Sequence, residues 1–270
     1  MIGEADKSRF FKDGYLVIPE VVPAKLCEAV VDHIAAWMSL DPAKAESWPS
    51  SPGHGIVPVH HAPPLWALRQ HPPIHDLFAT LYGTDDLWVS FDRVSFKPPT
   101  DDPDNQSMLA EPIHWDGTPS ADSRDSIQGL VYLRDTAEDQ GAFCCVPSRY
   151  KALRALLAEQ PQATQTLQPK GISDAELLTL AGSQGTVVLW HRNMPHSSTI
   201  NRRAIPRWVQ YVAMEPAGSE HSRDKRIAMF EARKPPRWAV VQAVEGQQIP
   251  EPNEEVKLTA HGRRLIGYRD

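Results

Sequence analysis

Apolar and polar positions follow two different periods along the chain. The opening segment FFKDGYLVIPEVV predicts a short helix that stops at Gly14 and a strand over residues 15–18. The next segment predicts a helix, because apolar residues recur at every fourth position and would form one stripe that packs on a sheet. The residues of this stripe are Leu26, Val30, Ile34 and Met38.

After a predicted helix around residues 75–82, segments typical of β-strands dominate: DLWVSFDRVSFK, SIQGLVYLRD, AFCCVPS, QGTVVLWH and RWVQYVAM. Their β-branched and aromatic residues, separated by turn formers, predict an antiparallel sandwich or barrel. Further helices are expected in RYKALRALLAEQ and SDAELLTLAG, where they would flank the β core. With no internal repeat and no clear boundary, the pattern predicts a single domain over residues 1–270, mainly β with flanking helices.

Residues 41–71 break the regular pattern. They are rich in Pro, Ser and His, which predicts a long surface loop or lid rather than a regular element. Long loops often border active sites, so His60, His61 and Trp66 could form part of a lid over the site.

Composition narrows the class of protein. With 41% apolar residues and a net charge of −6 spread without a basic block, the chain predicts a globular protein that does not bind nucleic acid. No apolar run approaches the roughly 20 residues that span a bilayer, and the first residues lack the layout of a signal peptide, so we expect a cytoplasmic protein without a membrane partner. We expect its 3 cysteines to be reduced and structural, with Cys144 and Cys145 on opposite faces of a strand. The oligomeric state stays open.

The segment PIHWDGTP contains the pair that first indicates chemistry. On a strand, His114 and Asp116 would point to the same side and Trp115 to the other. One imidazole and one carboxylate need a second imidazole to form the triad that holds Fe(II) and leaves positions open. His191 and His196 both follow or end a strand, and the local pattern does not choose between them.

The order of residues around His196 resembles a known family. An HxD pair followed by a distal His, a hydroxyl two residues later (Ser198), an Asn five later (Asn201) and an Arg eleven later (Arg207) is similar to the phytanoyl-CoA dioxygenase family of Fe(II)/2-oxoglutarate oxygenases. This register favours His196 over His191.

Other segments extend the resemblance from about residue 10 to about residue 214. FFKDGYLVIPEVV, FKPP and LVYLRDTAEDQGAFCCVPSRYK each resemble a family segment, although Ser148, Arg149 and Tyr150 replace the usual Gly-Ser-His. Residues 216–270 resemble no segment of the family.

The resemblance implies a double-stranded β-helix, the jelly roll of cupin-like proteins. It also implies that His114, Asp116 and His196 hold Fe(II), and that 2-oxoglutarate and O₂ fill the open positions. Arg207 would grip the far carboxylate of 2-oxoglutarate, with the Ser198 hydroxyl as a second donor. The reaction would oxidise a C–H bond, releasing succinate and CO₂, and the carboxylate of Asp116 favours hydroxylation over halogenation.

Substrate contacts are predicted from position alone. Arg93 interrupts a largely apolar strand and could bind an anionic substrate or 2-oxoglutarate, and Gln128 occupies a comparable position. For both, a salt bridge or an interstrand hydrogen bond is an equally good interpretation. Trp115 is a third candidate, through the position of its loop. The predicted lid and the lack of a basic patch favour a small metabolite over a CoA ester.

Two other functions remain compatible with the sequence. A cupin-like isomerase or hydrolase could use the same three ligands without 2-oxoglutarate. A jelly-roll protein could also bind a ligand without turnover. Arg207 favours the oxygenase, because Lewis-acid chemistry has no need for a cation at that place.

Overall fold

The computed structural model describes residues 2–49, 55–102, 104–121, 126–161, 163 and 169–269. The helices in these residues are α1 (Glu4–Asp13), α2 (Ala24–Trp37), α3 (Pro63–Arg69), α4 (Pro72–Tyr82), α5 (Pro147–Glu159), α6 (Glu220–Glu231), α7 (Arg237–Val241) and α8 (Ala260–Ile266). The strands are β1 (Tyr15–Ile18), β2 (Ile56–Val57), β3 (Leu87–Val89), β4 (Val94–Lys97), β5 (Ile127–Tyr132), β6 (Phe143–Cys145), β7 (Leu178–Leu180), β8 (Val187–His191), β9 (His196–Ser198), β10 (Arg207–Tyr211) and β11 (Met214–Pro216). No helix in this part of the chain is long and apolar enough to cross a membrane.

Two antiparallel sheets form the framework of the fold. The larger sheet has 8 strands in the order β1-β8-β5-β10-β4-β2, with β11 and β3 paired beside β5, and the smaller sheet has the order β7-β6-β9. Phe143 of the small sheet and Trp190 of the large sheet have ring centroids 4.5 Å apart, so the sheets pack face to face. This confirms the jelly roll that the resemblance implied. The chain is nevertheless mixed in content, with 34% helix and 19% strand.

Alternation along the central strands separates an inner face from an outer one. On β8, Val188 and Trp190 join a cluster between the two sheets, whereas Val187 and Leu189 belong to the larger core that includes the helices. The register pairs Trp190 with Gln128 of β5, which therefore lies on the inner side as well. The inner face is where polar side chains meet.

Local signals near the start of the chain are confirmed. Helix α1 ends at Gly14, whose φ of +85° lies in the left-handed region and whose N–H donates to the carbonyl of Phe10 at 2.7 Å. A Cβ at Gly14 would also lie 2.5 Å from the Met194 side chain, so only glycine fits there. Within the stripe of α2, Val30 and Ile34 are fully buried.

The cysteines are confirmed as free and buried. Cys145 lies in the cluster between the sheets and Cys144 in a separate small core, so they occupy opposite faces of β6. Burial raises the pKa of the Cys144 thiol to about 12, which makes it a poor nucleophile and fits a structural role.

The helix predicted in SDAELLTLAG is wrong. Only residues 174–176 form a short 3₁₀ helix, and residues 178–180 form β7, which pairs with β6. Ser173 and Glu176 form a reciprocal cap: the Ser173 side chain accepts the backbone N–H of Glu176, and the Glu176 carboxylate accepts the backbone N–H of Ser173. This cap satisfies the start of the helix but does not extend it. Strand pairing with β6 overrides the helical propensity of this short segment.

The loop or lid predicted over residues 41–71 does not describe residues 57–71, although residues 41–49 form an exposed loop with one turn of 3₁₀ helix at 45–47. Residues 63–69 form helix α3, and His60, His61 and Trp66 are at most 2% exposed. The backbone N–H groups of His60 and His61 donate to the Glu251 carboxylate, and burial lowers the pKa of both imidazoles to about 3. Residues 57–62 belong to the core. Residues 50–54 of the predicted lid lie outside the described residues.

Candidate active site

The structure brings His114, Asp116 and His196 together. Their ligand atoms all lie within 4.8 Å of one another. His114 and His196 exchange both backbone hydrogen bonds, at 3.0 and 2.9 Å, so the HxD segment runs antiparallel beside the start of β9. Asp116 Oδ1 is 3.6 Å from His114 Nε2, and its Oδ2 is 3.4 Å from His196 Nε2.

The backbone sets the tautomer of both histidines. His114 Nδ1 lies 2.9 Å from the carbonyl of Pro112, and His196 Nδ1 lies 3.0 Å from the carbonyl of Met194. A carbonyl only accepts, so in the neutral ring Nδ1 carries the proton and Nε2 offers its lone pair. Two Nε2 atoms and one carboxylate form the donor set that suits non-haem Fe(II), and these residues therefore fit that metal.

Charge is concentrated on the same three groups. Burial opposes the charge on Asp116, but His196 and His114 together hold the pKa of its carboxyl well below the usual range. Burial likewise lowers the pKa of His114, but the hydrogen bond to Asp116 outweighs it and raises that pKa to about 8. A metal ion would replace protons at this site, so metal uptake should release protons and weaken at acidic pH.

A pair of buried cations lies on the neighbouring strands. Lys97 of β4 stands directly opposite Arg207 of β10 in the sheet register. The ammonium of Lys97 donates to the Ser198 hydroxyl and lies 3.4 Å from a carboxylate oxygen of Glu111. Ser198 follows His196 by two residues on β9, so it lies on the same side of that strand and links the cation pair to the metal ligands.

Arg207 has spare hydrogen-bonding capacity. It is 1% exposed, and its two terminal nitrogens donate to the carbonyl of Gly141 at 3.0 Å and to the Ser95 hydroxyl. Its Nε is buried without a partner, and no acidic residue in the described part of the chain forms an ion pair with it. A buried guanidinium without a carboxylate is costly unless a ligand supplies one. The pair can therefore bind an anionic group.

Gln128 connects the metal ligands to the sheet. Its Nε2 donates to Asp116 Oδ2 at 2.5 Å, and its Oε1 accepts the indole N–H of Trp190 at 3.1 Å. An indole nitrogen only donates, so Trp190 fixes which end of the amide faces Asp116. The amide is thus oriented to donate to the carboxylate.

The sequence matches the family model described as Phytanoyl-CoA dioxygenase (PhyH) over residues 10–209. That range covers well over half of the chain. The chain belongs to the phytanoyl-CoA dioxygenase (PhyH) family. The resemblance seen in the HxD pair, His196 and Arg207 is thereby confirmed at the level of the family.

Individual proteins similar to this PhyH-family member are distant in sequence. A putative phytanoyl-CoA dioxygenase from Dictyostelium discoideum is 22% identical, with 79% of this chain and 75% of that protein covered. The epimerase SnoN, solved with Fe³⁺, alpha ketoglutarate and nogalamycin RO, is 19% identical with a TM-score of 0.57 over 79% of this chain and 83% of its own. GlcNAc Inducible Gene 2 from Candida albicans is 14% identical with a TM-score of 0.69, over 98% of this chain and 76% of its own. At such identities the solved structures show a shared fold.

The structure separates the two histidines that the sequence left open. His191 is outside the three-ligand group, because its Nδ1 accepts the backbone N–H of Asn193 at 3.0 Å and its ring packs against Tyr150. Burial lowers the pKa of His191 to about 4, so it is neutral in a structural position. His196 is the histidine that this PhyH-family protein places beside Asp116.

Trp115 does not face the site as a substrate contact would. It is 6% exposed, packs against Leu153 and Leu157, and donates its indole N–H to the carbonyl of Asn193 at 2.9 Å. Alternation turns it away from its neighbours His114 and Asp116. Trp115 therefore anchors the HxD segment, and its contact with substrate stays a prediction.

Lys97 was not predicted from the sequence as a site residue. Its position within FKPP was part of the resemblance, but the lysine itself was not singled out. Burial, followed by the charge of Arg207, lowers the pKa of Lys97 to about 8. Strand alternation in the sequence places Arg93, Ser95 and Lys97, two residues apart, on one face of a strand. Only the register with β10 shows that Lys97 lies opposite Arg207.

Arg93 and Gln128 occupy different surroundings from each other. Gln128 contacts Asp116 through its amide nitrogen and Trp190 through its amide oxygen. Arg93 contacts Gln247 and Trp238, which lie beyond the family match. Gln128 is thus positioned to hold Asp116 and its substrate role stays a prediction, whereas Arg93 contacts a part of the chain outside the PhyH match.

Proposed function

We propose that this protein is an Fe(II)- and 2-oxoglutarate-dependent dioxygenase that hydroxylates a C–H bond of a small molecule, with release of succinate and CO₂. One observation carries the proposal. A group of two imidazoles and a carboxylate lies beside a buried pair of cations, with Ser198 on β9 between them.

Each protein group has a defined task. His114 Nε2, the Asp116 carboxylate and His196 Nε2 would hold Fe(II) and leave adjacent positions open. Arg207, Lys97 and Ser198 would bind the far carboxylate of 2-oxoglutarate, which supplies the negative charge that Arg207 lacks. When bound, the metal and 2-oxoglutarate together activate O₂ for oxidation of the substrate. The protein fixes the positions of the reacting groups and keeps the cations out of water.

The other functions use fewer of these residues. An isomerase or hydrolase without 2-oxoglutarate would leave the buried charge of Arg207 without an anion, and so would a binding protein without cosubstrate. The similar protein SnoN is described as an alpha-ketoglutarate-dependent epimerase. Epimerisation is therefore the second candidate, and it would use the same metal ligands and the same cations.

Anaerobic spectroscopy tests the proposal. Fe(II) added with 2-oxoglutarate to the purified protein should produce the visible charge-transfer band of a metal-chelated keto acid, and O₂ should then release succinate. His196→Ala should abolish the band, whereas the matched variant His191→Ala should keep it. Absence of a band in the unmodified protein would contradict the proposal. Mass change of the product distinguishes hydroxylation, which adds one oxygen, from epimerisation, which adds none.

A further inference from the structure

Arg93 is joined through the sheet to the strand that carries Gln128, and its side chain contacts the C-terminal segment. The N–H of Tyr211 donates to the carbonyl of Arg93 at 3.0 Å, and Tyr211 pairs with Leu130, two residues from Gln128 on the same face of β5. Arg93 is therefore two strand spacings, about 10 Å, from the strand whose Gln128 holds Asp116. In this register the side chains of Arg93 and Gln128 lie on the same face of the sheet.

The guanidinium of Arg93 is poorly neutralised. Its side chain is 7% exposed, and the only described acidic group within ion-pair range is Asp92, 3.8 Å from Nε. The same Asp92 oxygen already accepts the backbone N–H of Arg93 at 2.7 Å. Nε itself is buried without a hydrogen-bond partner. A buried guanidinium normally meets a carboxylate through two parallel hydrogen bonds, and this one does not.

Neutral groups of the C-terminal segment hold Arg93 from the other side. Nη1 donates to Gln247 Oε1, and the guanidinium lies 4.9 Å from the ring centroid of Trp238, which is 43% exposed. Gln247 is fully buried and its Nε2 donates to the carbonyl of Ala239, so the amide cannot turn away. These contacts keep the cation in place without cancelling its charge.

The C-terminal segment is firmly attached to the domain. The Glu251 carboxylate accepts the backbone N–H groups of His60 and His61, and Phe230 packs against Trp66 with ring centroids 5.0 Å apart. The segment lies beyond residue 209, where the family match ends. The surface that Trp238 and Gln247 form beside Arg93 is therefore outside the residues that the family model matches.

We propose that Arg93 is the recognition point for a carboxylate group of the substrate, with Trp238 and Gln247 as the wall that positions it. The inference rests on the proposed function and names its substrate class, a carboxylic acid of low molecular mass. The planar guanidinium offers Nε and a terminal nitrogen to one carboxylate, and the partly exposed Trp238 ring offers an apolar group next to the guanidinium.

Nuclear magnetic resonance of the Arg93 Nε–H group tests the inference without knowledge of the true substrate. Protein labelled with ¹⁵N-arginine is loaded with Zn(II) and 2-oxoglutarate, and Arg93→Lys identifies the resonance. The probes are phenylacetate, hexanoate and N-acetylleucine, each compared with its primary amide. We expect saturable shifts of the resonance with acids and none with amides. A resonance that no acid moves, or that acids and amides move equally, would overturn the inference.

The variant Gln247→Glu separates recognition from a purely structural role. It places a carboxylate on Arg93 with almost no change in shape, so acid binding should weaken about tenfold or more. The change also removes the amide donor to the carbonyl of Ala239, so thermal unfolding of the variant is measured beside acid binding to show that the segment stays folded. Gln242→Glu adds the same charge at an exposed position and should leave acid binding unchanged. Unaltered acid binding in Gln247→Glu would show that Arg93 only anchors the segment. Because Zn(II) replaces iron here, this result is independent of the charge-transfer band and of succinate release, which test the proposed function itself.

Discussion

Replacement of Gln128 by leucine should weaken metal binding without unfolding the protein. The change removes the hydrogen bond from Gln128 Nε2 to Asp116 Oδ2 and leaves the Trp190 indole N–H without its acceptor. The carboxylate then has more rotational freedom, and metal binding loses free energy because that freedom is lost when the metal fixes the carboxylate.

The geometry bounds the size of the effect. A hydrogen bond to a charged group contributes about 1.5–3 kcal/mol, which corresponds to about 10- to 100-fold in affinity. The Asp116 side chain is 40% exposed, so water can replace part of the lost contact. We therefore expect a loss near the lower end, about tenfold. Trp190→Phe keeps the amide but removes the group that orients it, and should cost less, about two- to fivefold.

Calorimetric titration of the apo protein with Mn(II) under anaerobic conditions measures this affinity directly. The matched control is Gln210→Leu, because Gln210 is a fully buried glutamine of β10 whose amide donates to the carbonyl of Leu65 rather than to a metal ligand. Thermal unfolding of each variant without metal reports any general loss of stability. The reasoning is refuted if Gln128→Leu binds Mn(II) within about twofold of the unmodified protein, or more tightly.

Three further predictions concern the cations and the HxD segment. Arg207→Lys should raise the KM for 2-oxoglutarate about 10- to 100-fold while Mn(II) affinity stays unchanged, because lysine cannot make two parallel hydrogen bonds; equal losses of both would indicate misfolding. Affinity for 2-oxoglutarate should fall as the pH rises through about 8, where Lys97 loses its proton, and Lys97→Arg should flatten that profile; a profile identical in both proteins would exclude Lys97. Trp115→Ala should lower the free energy of unfolding by about 3–5 kcal/mol, measured with urea, because it empties a buried site beside α5; a loss below about 1 kcal/mol would contradict the anchoring role.

The sequence predicts what local patterns and ordered motifs determine. Gly14 ends α1 because glycine readily adopts the left-handed φ that a helix end requires, and this depends on one residue. The apolar stripe of α2 follows from helical spacing alone. The choice of His196 followed from its distance in sequence to Arg207, and the structure places His196 with Asp116. These features depend on a few neighbouring residues.

Features that depend on distant partners escaped prediction. Residues 178–180 read as a helix because nothing nearby reveals that β6 supplies their hydrogen bonds. Lys97 could not be assigned to the site from the sequence, because its strand partner Arg207 is more than a hundred residues later. The role of Gln128 likewise depends on contacts with Asp116 and Trp190, which lie on other segments. The Pro-rich region suggested a lid, yet Glu251 from the far end of the chain holds His60 and His61 in the core. Long-range register and burial carry information that composition does not.

The paired backbone hydrogen bonds between His114 and His196 imply an order of assembly at the metal centre. These two ligands belong to one preassembled half-site, since their main chains are already joined at 3.0 and 2.9 Å. The side chain of Asp116 is the most exposed of the three at 40%, against 31% for His114 and 8% for His196. Asp116 would therefore be the ligand most accessible to an ion, and His196 the least accessible. Substitution of Asp116 should for this reason affect the rate of metal uptake, whereas substitution of His196 should affect the rate of metal release.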